Sequence, residues 1–81
     1  MYFVGDDQGY VKVGYAACAV GRLRDLQVAH ATELKLLLAI PGGPDLEREL
    51  HRRFGVDRVR GEWFRLSPSI IKYISESQVS A

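Results

Sequence analysis

The sequence has only one cysteine, Cys18, among its 81 residues. A single thiol cannot form an intramolecular disulfide or complete a multi-cysteine zinc site. No apolar run approaches the roughly 18 residues that a membrane span requires, and the N-terminus lacks the basic-then-apolar pattern of a secretory signal. Because small extracellular domains usually depend on disulfides, these absences predict an intracellular, cytoplasmic protein.

The sequence also has little net charge, because 11 basic and 10 acidic residues leave +1. That balance argues against a protein that holds nucleic acid by bulk attraction alone. The charges are unevenly placed, however. Residues 36–47 carry −2, whereas residues 48–65 contain six of the eight arginines against three acidic residues and therefore carry +3.

Arginine contacts phosphate through paired hydrogen bonds, and the aromatic residues Trp63 and Phe64 lie within this arginine-rich segment. The segment is therefore a candidate surface for binding a polyanion. The alternative is a solvated helix face on which Glu49 and Arg53 form an i,i+4 pair. The arginines expected to contact nucleic acid are Arg48, Arg52, Arg58 and Arg60.

What is present is an ordinary globular composition, with 47% hydrophobic and 26% charged residues. A chain of this length allows one domain, which we expect to span residues 1–81. The element order β-β-α-β-α-α predicts a small α+β domain with a three-stranded, mainly antiparallel sheet flanked by helices. The expected elements are strands over 2–4 and 10–13, a helix over 16–29, a strand over 34–40, a helix over 45–54, a loop or short edge strand through 65, and a helix starting at 67–68.

Two further expectations concern the helices. In the last helix, the spacing of Ile70, Ile71 and Ile74 predicts that all three face the core, and residues 75–81 are expected to fray. At the start of the first helix, Cys18 is expected to be a small buried residue, because the sequence shows no partner that would make it a nucleophile.

Polar side chains flank the apolar stripes of the first two helices. Arg22 lies roughly 80–90° from the centre of the first stripe, and Glu47 flanks the second, with His51 one turn later. Such side chains usually drape their stems over the edge of the core. Glu47 and His51 have the spacing of two metal ligands, but they lack a third. A carboxylate beside a basic patch is also what a metal-assisted phosphodiesterase needs, because the carboxylate holds the cation and arginines bind the polyanion.

Five short motifs follow one another along the chain. They read Tyr2-Phe3-Val4, Lys12-Val13-Gly14-Tyr15, Arg22-Leu23-x-x-Leu26-Gln27, Glu47-x-x-Leu50-His51-x-x-Phe54 and Gly61-Glu62-Trp63-Phe64. Together they resemble the GIY-YIG nuclease superfamily, and most closely its short bacterial and phage branch, in which the second motif reads K-I-G or K-V-G. The resemblance covers residues 2 to about 74. It implies a compact domain that hydrolyses phosphodiester bonds in DNA with a divalent metal.

The resemblance also implies roles for five residues. Tyr2 matches a tyrosine that lies beside the attacking water as a general base, and Lys12 stands where the family usually has a second tyrosine. An ammonium there would favour the phenolate of Tyr2 or contact the scissile phosphate. Arg22 matches the arginine that binds the scissile phosphate, Glu47 matches the metal-binding carboxylate, and His51 follows it in this branch. One carboxylate implies a single Mg²⁺ or Mn²⁺ that keeps several waters.

The sequence departs from the family pattern at two places. Met1 stands where the first motif has its leading glycine, and Leu26 stands where many relatives have a histidine. His30 is close by, near the helix end, where a structural or exposed role is expected. Trp63 and Phe64 match the last motif, and their expected role is packing in a thin core, with base stacking as the alternative.

Two other functions stay open beside the nuclease. One is a catalytically weak nucleic-acid-binding or targeting module, and the other is a protein-interaction module that uses Trp63 and Phe64 as its contact surface. DNA is the expected partner and a membrane is not. Because 81 residues leave little room for target recognition, we expect the domain to be fused to, or to work with, a separate targeting domain.

Overall fold

The computed structural model describes residues 1–79 and contains five strands and three α-helices in that range. None of these helices is long and apolar enough to cross a membrane. A single turn of 3₁₀ helix covers Gly55–Asp57. The elements are β1 (Tyr2–Gly5), β2 (Tyr10–Gly14), α1 (Ala19–Val28), β3 (Lys35–Ala39), α2 (Pro44–Arg53), β4 (Arg58–Arg60), β5 (Trp63–Arg65) and α3 (Pro68–Val79).

The sheet is antiparallel throughout and has the strand order β3-β1-β2-β5-β4. The α+β class and the antiparallel pairing agree with the sequence, but the prediction of three strands is wrong. The segment expected to be a loop or short edge strand forms the hairpin β4–β5, whose second strand pairs with β2. Each of its strands has three residues, which is too short for a period of two to be recognised. Gly61 turns the chain between them with a φ of +54°.

Helices cover both faces of the sheet. Successive residues of a strand point to opposite faces, so β1, β3 and β5 contribute to two separate cores. One core lies under α2 and α3, and the other lies under α1. The first includes Phe3, Val11, Val13, Leu38, Leu50, Phe54, Phe64, Ile70 and Ile74, and the second includes Tyr2, Val4, Leu34, Leu23 and Leu26.

The first helix begins later than predicted, at Ala19 rather than Ala16. Cys18 has an extended backbone there, and its Sγ accepts a hydrogen bond from the Gly21 amide at 3.4 Å. The side chain is therefore an N-cap, and it is exposed. The prediction that Cys18 is buried is wrong.

The second helix agrees with its prediction to within one residue at each end. Pro44 opens it, Asp45 and Glu47 lie in its first turn, and basic residues lie in its last turn, which complements the helix dipole at both ends.

The last helix is longer and more one-sided than predicted. It continues to Val79, so residues 75–79 are helical, and residues 80–81 of the segment expected to fray lie outside the described residues. Ile70 and Ile74 are buried, as their spacing predicts, but Ile71 is half exposed. The apolar stripe of this helix thus follows an i,i+4 line, and Ile71 lies on its flank.

Leu50 attaches α2 to the sheet, because its side chain is 2% exposed within the core under α2 and α3. We expect Leu50→Ala to lower the free energy of unfolding by about 2–5 kcal/mol, as measured by urea denaturation followed by circular dichroism. Val56→Ala is the control, because Val56 is 86% exposed. It should change the free energy by no more than about 0.5 kcal/mol. Equal effects of the two substitutions would contradict this account of the core.

Candidate active site

The first residue of β1 lies opposite the last residue of β2, and polar groups meet at this end of the sheet. Tyr2 pairs with Gly14, and its side chain is only 1% exposed. A β-carbon on Gly14 would lie 2.7 Å from the Tyr2 Oη and 2.8 Å from the Glu62 Oε1. The phenol and the carboxylate therefore both occupy the space that a side chain at position 14 would need.

Arg22 reaches this group from α1. Its guanidinium is exposed to solvent and lies close enough to the Tyr2 phenol to lower the pKa of that group. Arg22 is in the first half of α1, close to the turn that leads from β2 into the helix. The structure thus brings together Tyr2 and Arg22, two residues that lie 20 positions apart and that the sequence singles out separately.

The charges around Tyr2 act on its protonation in opposite directions. Burial raises the pKa of the Tyr2 phenol above its ordinary value of 10.0, the interaction with Arg22 lowers it, and the carboxylates of Glu62 and Glu47 raise it. Burial is the largest of these effects, so the phenol is neutral at physiological pH. In this state Tyr2 is a hydrogen-bond donor and not a base.

Glu47 lies on α2, half-buried, and close enough to act electrostatically on Tyr2. Its neighbours on the helix are already paired, because Asp45 accepts a hydrogen bond from Arg48 and Glu49 is bridged by Arg52. Within the described residues Glu47 has no ion-pair partner. It is therefore the carboxylate of α2 that is available to an external cation.

Lys12 makes contacts other than the one expected with the Tyr2 phenol. Lys12 pairs with Glu62 at 3.4 Å and lies 5.6 Å from the centre of the Trp63 ring. The cation that interacts with the Tyr2 phenol is Arg22. Lys12 is thus joined to the site through the Glu62 carboxylate rather than through the phenol.

His51 forms a contact that fixes α2 on the sheet. Its Nε2 lies 2.8 Å from the carbonyl oxygen of Val13, so this nitrogen carries the proton and donates it. Its ring packs at 5.0 Å against Phe64. Because Nε2 is occupied in this way, His51 positions the helix face that carries Glu47, one turn earlier.

Glu62 is the site residue that sequence reasoning missed. The only signal was its place in the Gly61-Glu62-Trp63-Phe64 motif, where it counted merely as an acidic charge. The hairpin β4–β5 places it, because its carbonyl oxygen accepts a hydrogen bond from the Val13 amide at 2.9 Å. Since that hairpin was not predicted as a pair of strands, the carboxylate could not be assigned to the end of β2.

The four arginines expected to contact nucleic acid are exposed but differ in their partners. Arg48 and Arg52 pair with acidic residues three positions earlier on α2. The Arg58 Nε donates to the Gly61 carbonyl oxygen at 2.7 Å. The Arg60 side chain makes no hydrogen bond or ion pair to another described residue. The alternative pair of Glu49 with Arg53 does not form, because Arg53 lies instead over the rings of Phe54 and Tyr73.

These features define a small α+β domain with an antiparallel sheet, in which a buried phenol and the Glu62 carboxylate lie together at one end of β1 and β2, and Arg22 and Glu47 act on that phenol electrostatically. The T5orf172 domain family matches residues 1–79, and the chain belongs to that family. The family is a phage-associated domain related to nucleases of the GIY-YIG and HNH-like types. Comparison with curated proteins and with solved structures gives no match.

The contact at Gly14 leads to a test of the site's packing. Gly14→Ala should lower the free energy of unfolding by about 1–3 kcal/mol, because the new β-carbon would press on Tyr2 and Glu62. Gly21→Ala is the matched control within α1. Its β-carbon would meet Cys18 at an ordinary 3.5 Å, so it should stabilise by up to about 1 kcal/mol through helix propensity. If both substitutions stabilised the protein, the close approach at Gly14 would be contradicted.

The protonation of Tyr2 gives a second test. With ¹³C-labelled tyrosine, NMR titration should show the pKa of Tyr2 above 10.0, higher still in Arg22→Ala and lower in Glu62→Gln. Because the folded-state pKa is raised, the stability that Tyr2 contributes is fully present below about pH 10 and is lost as the pH rises through the folded-state pKa. Titration of Tyr2 below pH 10 would contradict the assignment.

Proposed function

We propose that the domain is a divalent-metal-dependent endonuclease that hydrolyses phosphodiester bonds in DNA. The observation that carries this proposal is that Arg22 and Glu47, from two different helices, both act electrostatically on the buried Tyr2 phenol at one end of β1 and β2. An arginine beside a buried hydroxyl provides two kinds of donor to a phosphate, and a free carboxylate nearby provides a ligand to a hard cation. Membership of a nuclease-associated domain family supports the same chemistry.

The two carboxylates Glu47 and Glu62 suit one Mg²⁺ or Mn²⁺ ion that keeps several waters, and they do not form a site in which the protein supplies every ligand. Residues 1–79 contain no group of three or more His, Cys, Asp and Glu side chains arranged to hold a metal. Mg²⁺ does not need such a group, because it keeps several waters and binds through one or two carboxylates. Glu47 would hold the ion, with Glu62 as the second carboxylate near Tyr2. The bound ion would supply Lewis acidity at a phosphoryl oxygen.

The residues of the chain have distinct tasks in this proposal. Arg22 is exposed and already directed at Tyr2, so it can bind the scissile phosphate and stabilise the charge that develops on it. Tyr2 is a neutral phenol, so it donates a hydrogen bond to the attacking water or to a phosphate oxygen. The general-base role that the family resemblance implies would require Tyr2 to lose its proton, and Arg22 is the group that favours this loss.

The arginines of α2 and β4 would hold the rest of the DNA. Arg48 and Arg52 form exposed ion pairs, which contribute little to stability and can exchange for phosphate. Arg58 and Arg60 lie on the edge strand β4, in the hairpin that carries Glu62. Contacts of this kind fix the position of the backbone on the protein and make binding dependent on salt.

A plasmid-nicking assay tests the proposal. The protein should nick supercoiled DNA with Mg²⁺ or Mn²⁺, and Glu47→Gln should reduce nicking to the level seen in EDTA. Arg22→Ala should slow it by about 10²–10³-fold, the usual effect of removing one group that stabilises transition-state charge. The control is Glu33→Gln, since Glu33 is an exposed residue between α1 and β3 that forms no ion pair within residues 1–79.

Other outcomes favour the other two functions. Unchanged nicking by Glu47→Gln would remove the metal-binding role from Glu47. If wild-type protein binds DNA with a clear salt dependence but never nicks it, the domain is a targeting module. If it neither binds nor nicks DNA, a protein-interaction module becomes the better explanation.

A further inference from the structure

A cleft lies on the face of the sheet that α1 covers only in part. It has a volume of about 260 Å³ and opens between the segment that follows α1 and the strands β2, β5 and β4. It is separate from the group around Tyr2, and the proposed catalytic chemistry does not use it. Its lining residues are Asp6, Tyr10, His30, Val59, Arg60 and Trp63.

The strand register explains why aromatic and basic side chains meet in this cleft. Directly paired residues of neighbouring strands project from the same face of a sheet. Trp63 of β5 is paired with Lys12 on one side and with Arg60 on the other, and Tyr10 is paired with Arg65. Two aromatic and three basic residues therefore project from one face of β2, β5 and β4.

The aromatic residues offer flat surface to a ligand. Tyr10 is 39% exposed, although it lies in a strand next to the core. Trp63 packs against the core under α1 and also lines the cleft, so its indole is held firmly while part of it stays accessible. The His30 ring lies 5.4 Å from the Trp63 ring and is tethered by an Nδ1 contact of 3.1 Å to the Leu26 carbonyl oxygen.

The cleft offers one cation, Arg60, to an anionic ligand. The Arg60 guanidinium has no hydrogen-bond or ion-pair partner within the described residues, so it is free to bind an anion. The acidic residue of the lining is Asp6, and its Oδ1 accepts hydrogen bonds from the amides of Gln8 and Tyr10 at 2.8 and 2.9 Å. Asp6 thus stabilises the β1–β2 turn while it keeps its negative charge, and the Arg60 guanidinium is the group of the lining that can bind an anion.

We propose that this cleft binds one unpaired base of a nucleic-acid strand, stacked on Trp63 and Tyr10, with its phosphate at Arg60. Aromatic platforms bordered by arginine are how proteins hold single-stranded nucleic acid. The volume is slightly below the roughly 300–1,000 Å³ of pockets for drug-sized ligands, which suits a single ring system. This inference rests on the proposed function, and it makes the substrate a strand with an unpaired segment.

The cleft and the proposed catalytic group can engage the same strand. Tyr10, Lys12 and Gly14 are every second residue of β2 and therefore lie on the same face of the strand. They lead from the cleft to the contact with Tyr2. At about 3.4 Å per residue, the four steps from Tyr10 to Gly14 span about 14 Å. That length matches about four nucleotides of a stacked strand, so the bound base would lie a few nucleotides from the bond that is cut.

The experiment uses Trp63 as its own probe, because it is the only tryptophan in the chain. In EDTA, which prevents cleavage, the protein is titrated with a short single-stranded oligonucleotide, an abasic strand of the same length and a fully paired duplex. The base-containing strand should quench Trp63 fluorescence and bind about 5- to 150-fold more tightly than the abasic strand. Equal affinity for the two single strands would overturn the proposal, because they carry the same phosphates.

Substitutions separate the cleft from general charge effects. Tyr10→Ala should remove most of the preference for the base-containing strand, and Arg60→Ala should weaken its binding. The matched control is Arg24→Ala, because Arg24 is an exposed arginine of α1 that does not line the cleft. Trp63→Phe keeps a ring at position 63 if larger changes disturb folding; its binding is followed by the fluorescence anisotropy of labelled oligonucleotides, because it lacks tryptophan, and it should retain part of the preference. If Arg60→Ala and Arg24→Ala weaken binding equally, the cleft has no special role and the proposal is wrong.

The result of the binding titrations does not depend on nuclease activity. Plasmid nicking that depends on Glu47, together with equal binding of abasic and base-containing strands, would overturn only the base-binding cleft. Strand preference without any nicking would support the cleft and overturn the proposed catalytic function.

Discussion

The close approach of the Tyr2 phenol to Gly14 is the constraint on which the rest of the site depends. Gly14 ends β2 opposite the start of β1, and the Tyr2 hydroxyl and the Glu62 carboxylate fill the space where any other residue would place a side chain. With these two groups fixed at the strand ends, Arg22 from α1 and Glu47 from α2 can reach the same point from two helices. A glycine is needed here because of contact, and not because of an unusual backbone angle, since its φ is not positive.

The protonation of Tyr2 depends on two opposing effects, because burial favours the neutral phenol and Arg22 favours the phenolate. A neutral phenol avoids the cost of placing a charge in the core, and the exposed guanidinium of Arg22 loses little hydration while it contacts the phenol. Glu62 is neutralised in part by Lys12, whereas Glu47 keeps an unpaired carboxylate. The site therefore holds a donor, a cation and a free carboxylate within electrostatic reach of one phenol, which is an arrangement suited to a phosphate and a hard metal ion.

The hairpin β4–β5 adds two strands to the sheet and also positions residues of both proposed sites. Its turn carries Glu62 to the end of β2, and its second strand places Trp63 beside Lys12 and the cleft. Phe64, the next residue, points to the opposite face and packs with His51, which donates a hydrogen bond to the Val13 carbonyl oxygen and holds α2 in place. The consecutive residues Glu62, Trp63 and Phe64 thus connect the proposed catalytic group, the proposed base-binding cleft and the core under α2 and α3.

The sequence by itself determined the α+β class, the two opening strands and the bounds of α2 to within one residue. It also identified Tyr2, Arg22 and Glu47 as candidate site residues. These features follow from local periodicity, capping and motif residues that short stretches of chain contain. Only the tertiary structure decided that the sheet has five strands, that Cys18 caps α1 in solvent, that Glu62 joins the site, and that His51 donates to Val13. The physical reason is that strands of three residues carry no readable period, and contacts between residues nearly 40 to 60 positions apart depend on register, which no local pattern specifies.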